Sequence, residues 1–170
     1  MLYKRFDFLV QAMHIASTYL GSNAHLLLVG HHRLERYTRA VREQIRQLNL
    51  PRVHLVGPVE DAHLRAYYEA ATAVVSASEH EGFGVPLVEA MAFGKPLLAR
   101  ASAAVPETVG DAALLIPIDS GPELYAEAVV ELLGDTSLQQ ELVARGRRRV
   151  ERLDASRTEA ALLGALLEVV

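Results

Sequence analysis

Residues Ser76 to Pro96 read SASEHEGFGVPLVEAMAFGKP, and this stretch decides the fold. The run leading into it, Ala73-Val74-Val75, is short, uncharged and β-rich, as a strand buried on both faces should be. After Gly84 the period changes. Val85, Val88, Met91 and Ala92 recur at helical spacing, Pro86 suits a first turn, and Gly94 followed by Lys95-Pro96 ends the helix. Strand, glycine-rich turn and helix thus follow directly on one another, and in open α/β sheets ligands sit at such junctions. Gly82 and Gly84 let the backbone come close to a ligand, while the unpaired N–H groups of the first helical turn offer donors and positive dipole to an anion. Glu81 and Glu89 frame the turn with seven residues between them. Glu89 lies about 7 Å along the helix from Gly84 at a rise of ~1.5 Å per residue. Carboxylates so placed could accept hydroxyl hydrogen bonds on either side of a phosphate. The same glutamates also suit a helix start and its solvent face, and one strand-turn-helix motif leaves both readings open.

Working outward, strands and helices alternate. Residues 5 to 19 have mostly helical spacing and are broken by Gly21-Ser22-Asn23. Ala24 to Val29 reads as a buried strand ended by Gly30, and His31 to Leu48 as a long charged helix. Val53 to Val56 is the next strand, and Gly57-Pro58 opens a turn before a helix over about 60 to 71, with Asp61 as its cap. Beyond the central motif, Leu97-Leu98-Ala99 forms a strand, 101 to 112 a loop with a short helix near 106 to 109, and Ala112 to Ile116 the last strand. Helices over 122–133, 136–153 and 155–169 close the chain as a helical segment of about 122–170. This order predicts a single α/β domain over 1–170, a Rossmann-like doubly wound parallel sheet with helices on both faces and right-handed crossovers. A helix, not a strand, follows Met1-Leu-Tyr-Lys4, so the first strand of the pattern is expected to be missing.

Composition narrows the function classes. At 170 residues and 51% hydrophobic content the chain can bury one substantial core. A net charge of -4 gives no general pull toward nucleic acid or an anionic membrane. No cysteine is present, which excludes disulfides, thiolate metal sites and a thiol nucleophile. No apolar run is long enough to span a bilayer and no signal-peptide core is seen, so a cytoplasmic location is expected. Of the seven histidines, His31 and His32 are adjacent, but neighbours point apart and no third ligand completes a set, so no metal is expected. His80 reads as a solvent-facing turn residue, Tyr67 and Tyr68 as helix packing, and Arg145 with Arg147, Arg148 and Arg149 as a solvated helix face.

The segment Ser78-Glu-His-Glu-Gly-Phe-Gly-Val-Pro-Leu-Val-Glu-Ala-Met-Ala-Phe-Gly-Lys-Pro96 closely resembles the Glu-x7-Glu signature of retaining, GT-B-fold glycosyltransferases of glycosyltransferase family four. The resemblance extends from about Lys4 to the final helices, with support from Ala104 to Pro117. It implies the C-terminal, donor-binding half of a GT-B architecture, with a nucleoside diphosphate sugar as substrate, no cofactor and no metal. By the family pattern Glu81 contacts the donor sugar and does not act as a nucleophile, with Gly82, Phe83 and Gly84 presenting backbone nearby, and Glu89 contacts the nucleotide ribose. Lys4, in Lys4-Arg-Phe-Asp7, matches the basic residue that neutralises the diphosphate. Gly57, Pro58 and Val59 match the segment whose backbone meets the base. Glu107 matches a glutamate that braces the site loop. Two departures stand out: Gly30-His31-His32 replaces a Gly-x-Gly, and the strand and turn that supply another basic residue would precede Met1. The N-terminal acceptor-binding half has no room in 170 residues, so little activity is expected from the chain alone, with any peripheral membrane contact made through that half. Alternatives are a non-catalytic sugar-nucleotide-binding or assembly module, and half of a GT-B phosphorylase or epimerase.

Overall fold

The computed structural model describes residues 2–20, 24–30 and 34–153. A 3-10 turn, Leu2–Lys4, leads into α1 (Phe6–Leu20), β1 (Leu26–Val29), α2 (Glu35–Gln47), β2 (Val53–Gly57), α3 (Asp61–Ala70), β3 (Val74–Ser76) and α4 (Val85–Ala92). There follow β4 (Leu97–Ala101), α5 (Val105–Val109), β5 (Leu114–Pro117), α6 (Pro122–Gly134) and α7 (Thr136–Arg152). The expected alternation is present, and every strand pairing is parallel. His31, His32 and the helix expected over 155–169 lie outside the described residues, and α2 begins at Glu35.

The strands form two sheets, β1-β2 and β3-β4-β5, where the pattern predicts one. Among the described residues no strand pairs with both β1 and β3, so each keeps one unpartnered edge. Two apolar cores are built across this arrangement, and β4 serves both because side chains alternate along a strand. Leu98 joins Phe8, Val10, Leu28, Val53 and Tyr125, whereas Leu97 and Ala99 join Leu87, Met91, Val105 and Val109. Leu97, Leu98 and Ala99 are each fully buried, which explains the uninterrupted apolar run that marked this strand in the sequence.

Three local readings are corrected. Glu60, not Asp61, is the N-cap of α3, and no side chain caps that helix; Asp61 is its first helical residue, where its charge faces the positive end of the dipole. The last strand starts at Leu114, two residues late, because Val109 and Ala112 are used to close the turn after α5. The basic run on α7 is not a purely solvated face: Arg145 donates to the Asp111 carbonyl at 3.2 Å, and Arg149 donates to the carbonyls of Thr108, at 2.9 Å, and Glu107. These guanidiniums satisfy carbonyls at and just beyond the C-terminal end of α5 that the five-residue helix leaves unpaired.

Candidate functional site

The turn between β3 and α4 lies at the carboxyl edge of the three-stranded sheet. Gly84 is the N-cap of α4 with φ 77°, a left-handed conformation that disfavours a side chain, and a Cβ there would stand 2.9 Å from Leu87 Cδ1. Gly82 is different: a Cβ on it would meet nothing within 4 Å, so the fold itself does not demand glycine there. Phe83 between them is 51% exposed, so its ring does not anchor the turn.

Polar tethers anchor it instead. Ser102 Oγ donates to the Ser78 carbonyl at 2.7 Å, Ala104 N to the Glu81 carbonyl at 3.3 Å, and Thr108 Oγ1 to the Phe83 carbonyl at 2.7 Å. Glu79 N donates to the Tyr3 carbonyl at 2.8 Å, joining the N-terminal turn to the same loop.

That last contact brings two sequence-selected residues together. Lys4 Nζ donates to Glu81 Oε1 at 2.5 Å, with the two side chains 24% and 11% exposed, so both groups are largely withdrawn from water. Next to them, Arg5 pairs with Glu79 and with Asp7, at 3.1 Å for the latter, and Tyr37 Oη donates to Asp7 at 2.8 Å. Burial alone would raise the Asp7 carboxyl, but hydrogen bonds from Arg5 and Tyr37 and the Arg5 charge outweigh it and hold the group below its ordinary range. Burial, together with the Asp7 charge, pushes the Tyr37 phenol up to about 12.

Glu89, the fifth residue of α4, is half-buried and keeps other company: Tyr68 of α3 donates to its Oε2 at 3.0 Å. Tyr68 lies parallel to Phe93 with ring centroids 5.0 Å apart, and burial and then the Glu89 charge raise its phenol. Gly57 ends β2 with φ 84°, and its carbonyl accepts from Gly30 N at 2.9 Å; Pro58 and Val59 follow beyond the strand's carboxyl end. His80 is exposed, as expected of a solvent-facing turn residue. Glu107 is exposed too, and it is the neighbouring Thr108 hydroxyl that reaches the loop.

Sequence reasoning therefore missed Tyr68, Ser102 and Thr108, whose partners are 21 to 25 residues away and leave no local pattern. It also missed Arg100, buried on β4 with its guanidinium 4.5 Å from the Phe8 ring and donating to the Ile118 and Ser120 carbonyls. Among the described residues no group of three or more His, Cys, Asp or Glu could hold a metal ion, and His25 and His54 hydrogen bond to each other at 3.0 Å. A cleft of about 360 Å³ between α1, α2 and the start of α6 contains none of the sequence-selected residues. No helix among the described residues is long and apolar enough to cross a membrane.

Residues 1–135 match the model of the family described as glycosyl transferases group 1. The chain belongs to this family. Its relatives include the O-antigen chain mannosyltransferase B of Escherichia coli, 35% identical over 94 residues, covering 55% of this chain and 24% of that protein. The MMP alpha-(1->4)-mannosyltransferase of Mycolicibacterium hassiacum is 35% identical over 120 residues, covering 68% of this chain and 29% of that one. The chain thus spans about a quarter of the length of these group 1 transferases. Among solved structures, sucrose-phosphate synthase from Thermosynechococcus elongatus superposes with a TM-score of 0.80 at 31% identity, over 99% of this chain and 42% of that one. Anabaena Alr3699/HepE in complex with UDP gives a TM-score of 0.83 over 99% of this chain and 46% of that one; at 23% identity it speaks to the fold alone. The expected fold is borne out: parallel sheets with helices on both faces, like the GT-B glycosyltransferases of the group 1 family.

Proposed function

We propose that this chain is the donor-binding half of a retaining hexosyltransferase, holding a nucleoside diphosphate sugar while the sugar passes to an acceptor bound by a separate half. The observation that carries the reading is the Lys4–Glu81 contact: a cation suited to a diphosphate and a carboxylate suited to sugar hydroxyls are held together from 77 residues apart, at the edge of the sheet where α4 begins. Glu81 binds sugar, Gly82, Phe83 and Gly84 offer backbone to sugar and phosphates, and Glu89 accepts from the ribose hydroxyls through the oxygen that Tyr68 leaves open. Gly57, Pro58 and Val59 meet the base. Lys4 and the positive end of the α4 dipole stabilise the departing diphosphate as its charge develops; the N–H groups of Leu87 and Val88 are already given to the Gly84 carbonyl and Pro86 has none.

The unpartnered edges of β1 and β3 support a further part of the reading: a parallel strand from outside the described residues completes the sheet, and a separate acceptor-binding half works with it. The chain alone then binds nucleotide weakly and transfers little sugar. Titration of the purified chain with UDP, GDP and ADP, beside their sugar conjugates, tests this. Glu89→Ala is expected to weaken nucleotide binding, and Glu81→Ala chiefly to erase any preference for the sugar conjugate. Negligible effects of both changes would reject the assigned roles.

A further inference from the structure

We infer that Thr108 is a positioning residue for donor binding, its hydroxyl setting the peptide plane that turns the Gly84 amide toward the diphosphate sugar. The inference rests on the donor-binding reading above and deepens it.

The loop is held by its carbonyls. Those of Ser78, Glu81 and Phe83 all accept hydrogen bonds from the segment 102–108, from Ser102 Oγ, Ala104 N and Thr108 Oγ1 respectively. No peptide bond in the described chain is cis, so the N–H that follows each pinned carbonyl points the opposite way. Ser78 supplies an internal check: its carbonyl meets Ser102, and the next N–H, that of Glu79, meets the Tyr3 carbonyl. The side facing away from 102–108 is therefore the side where Tyr3 and then Lys4 stand. By the same geometry the N–H groups of Gly82 and Gly84 are turned toward that side. Neither donates to any acceptor among the described residues.

No side chain of the turn sets these planes. The Phe83 ring is mostly exposed and Gly82 has no side chain to pack; Gly84 is held as the N-cap of α4 through its carbonyl, which accepts from Leu87 N at 2.8 Å, but that bond acts on the following peptide and not on the one that carries the Gly84 N–H. Thr108, by contrast, is buried at 3% exposure, and its own carbonyl is held by Arg149 Nε at 2.9 Å. A mid-helix threonine hydroxyl commonly turns back to its own helix's carbonyls; this one donates across to Phe83. The loop tether is thus fixed at both ends, from α7 through α5 to the turn.

The test uses the full chain and four probes: UDP, GDP, ADP and inorganic pyrophosphate, with Kd and the amide ¹⁵N–¹H shifts of Gly82 and Gly84 followed together. Thr108→Val removes the donor at nearly constant volume, and Thr108→Ser restores it. For the probe the wild type binds best, the Val variant is expected to lose about tenfold in affinity, the scale of one hydrogen bond to a charged group, along with the probe-induced shift of Gly84. The Ser variant is expected to match the wild type within about twofold, a rescue that a mere packing role for the γ-methyl would not produce. Thr108→Ala makes the same deletion without a branched side chain, so that a folding failure of the Val variant leaves the comparison intact. A wild type that binds none of the probes overturns both the donor-binding reading and this inference. A wild type that binds while the Val and Ala variants match it, Gly84 shift included, overturns this inference alone.

Discussion

The loop carrying Glu81 and the helix carrying Glu89 belong to one motif, yet they are held in opposite ways. The loop is exposed at Gly82 and Phe83 and hangs on polar tethers to 102–108 and on the Lys4 ion pair. The helix is seated by burial: Leu87, Ala90 and Met91 are almost wholly removed from water, and Tyr68 and Phe93 lie face to face beside them. Polar tethers contribute little net stability but fix direction, whereas apolar burial contributes most of the stability and is indifferent to small rotations. The difference predicts that damage to the helix appears as unfolding, while damage to the loop appears as lost recognition in a folded protein.

The largest expected effect lies on the helix side. Leu87→Ala should cost about 2–5 kcal/mol in denaturant unfolding, because it empties a fully buried site packed against β4 and α5. A change much smaller than that would show that α4 is not seated by its apolar face. Gly84→Ala stands at the join of the two regions, and its left-handed φ should cost about 1–2 kcal/mol, since the close Leu87 Cδ1 is the end of a side chain that can shift. If Gly82→Ala cost as much, the distinction drawn between the two glycines would break. Tyr68→Phe removes the donor to Glu89 and should cost about 1 kcal/mol. Because the Tyr68 phenol is raised, the wild type should also lose stability as pH rises above the ordinary tyrosine value of 10.0, and that part of the loss should be smaller in the variant.

On the loop side, Glu81→Gln should lower the melting temperature less than Leu87→Ala does, because the amide oxygen can still accept from the largely buried Lys4, while removing the carboxylate charge that holds Lys4. Calorimetric titration is then expected to show bare UDP or GDP bound slightly more tightly and the advantage of the sugar conjugate gone; weaker binding of the bare nucleotide would mean that Glu81 orients Lys4 rather than competes for it. The smallest effect concerns Asp7, whose carboxyl is held low in the folded state. Its contribution is fully present above the ordinary value of 3.8 and is lost as pH falls through the lower folded value, so Asp7→Asn should flatten the acid limb of the stability curve.

Much of this molecule was legible in one dimension. Strand and helix order, parallel pairing and the glycine at the start of α4 follow from spacing, since apolar period and glycine placement act over a few residues; the two motif glutamates stood out through the family resemblance, because spacing alone also suited a helix start. Only tertiary structure decided that Lys4 meets Glu81, that Tyr68 rather than a packing role alone accompanies Glu89, that Thr108 and not Glu107 braces the loop, and that Arg145 and Arg149 cap α5. Each of those contacts joins residues 21 to 77 positions apart. A hydrogen bond of that range depends on where two separate elements dock, and docking is set by the burial of side chains that are not themselves polar.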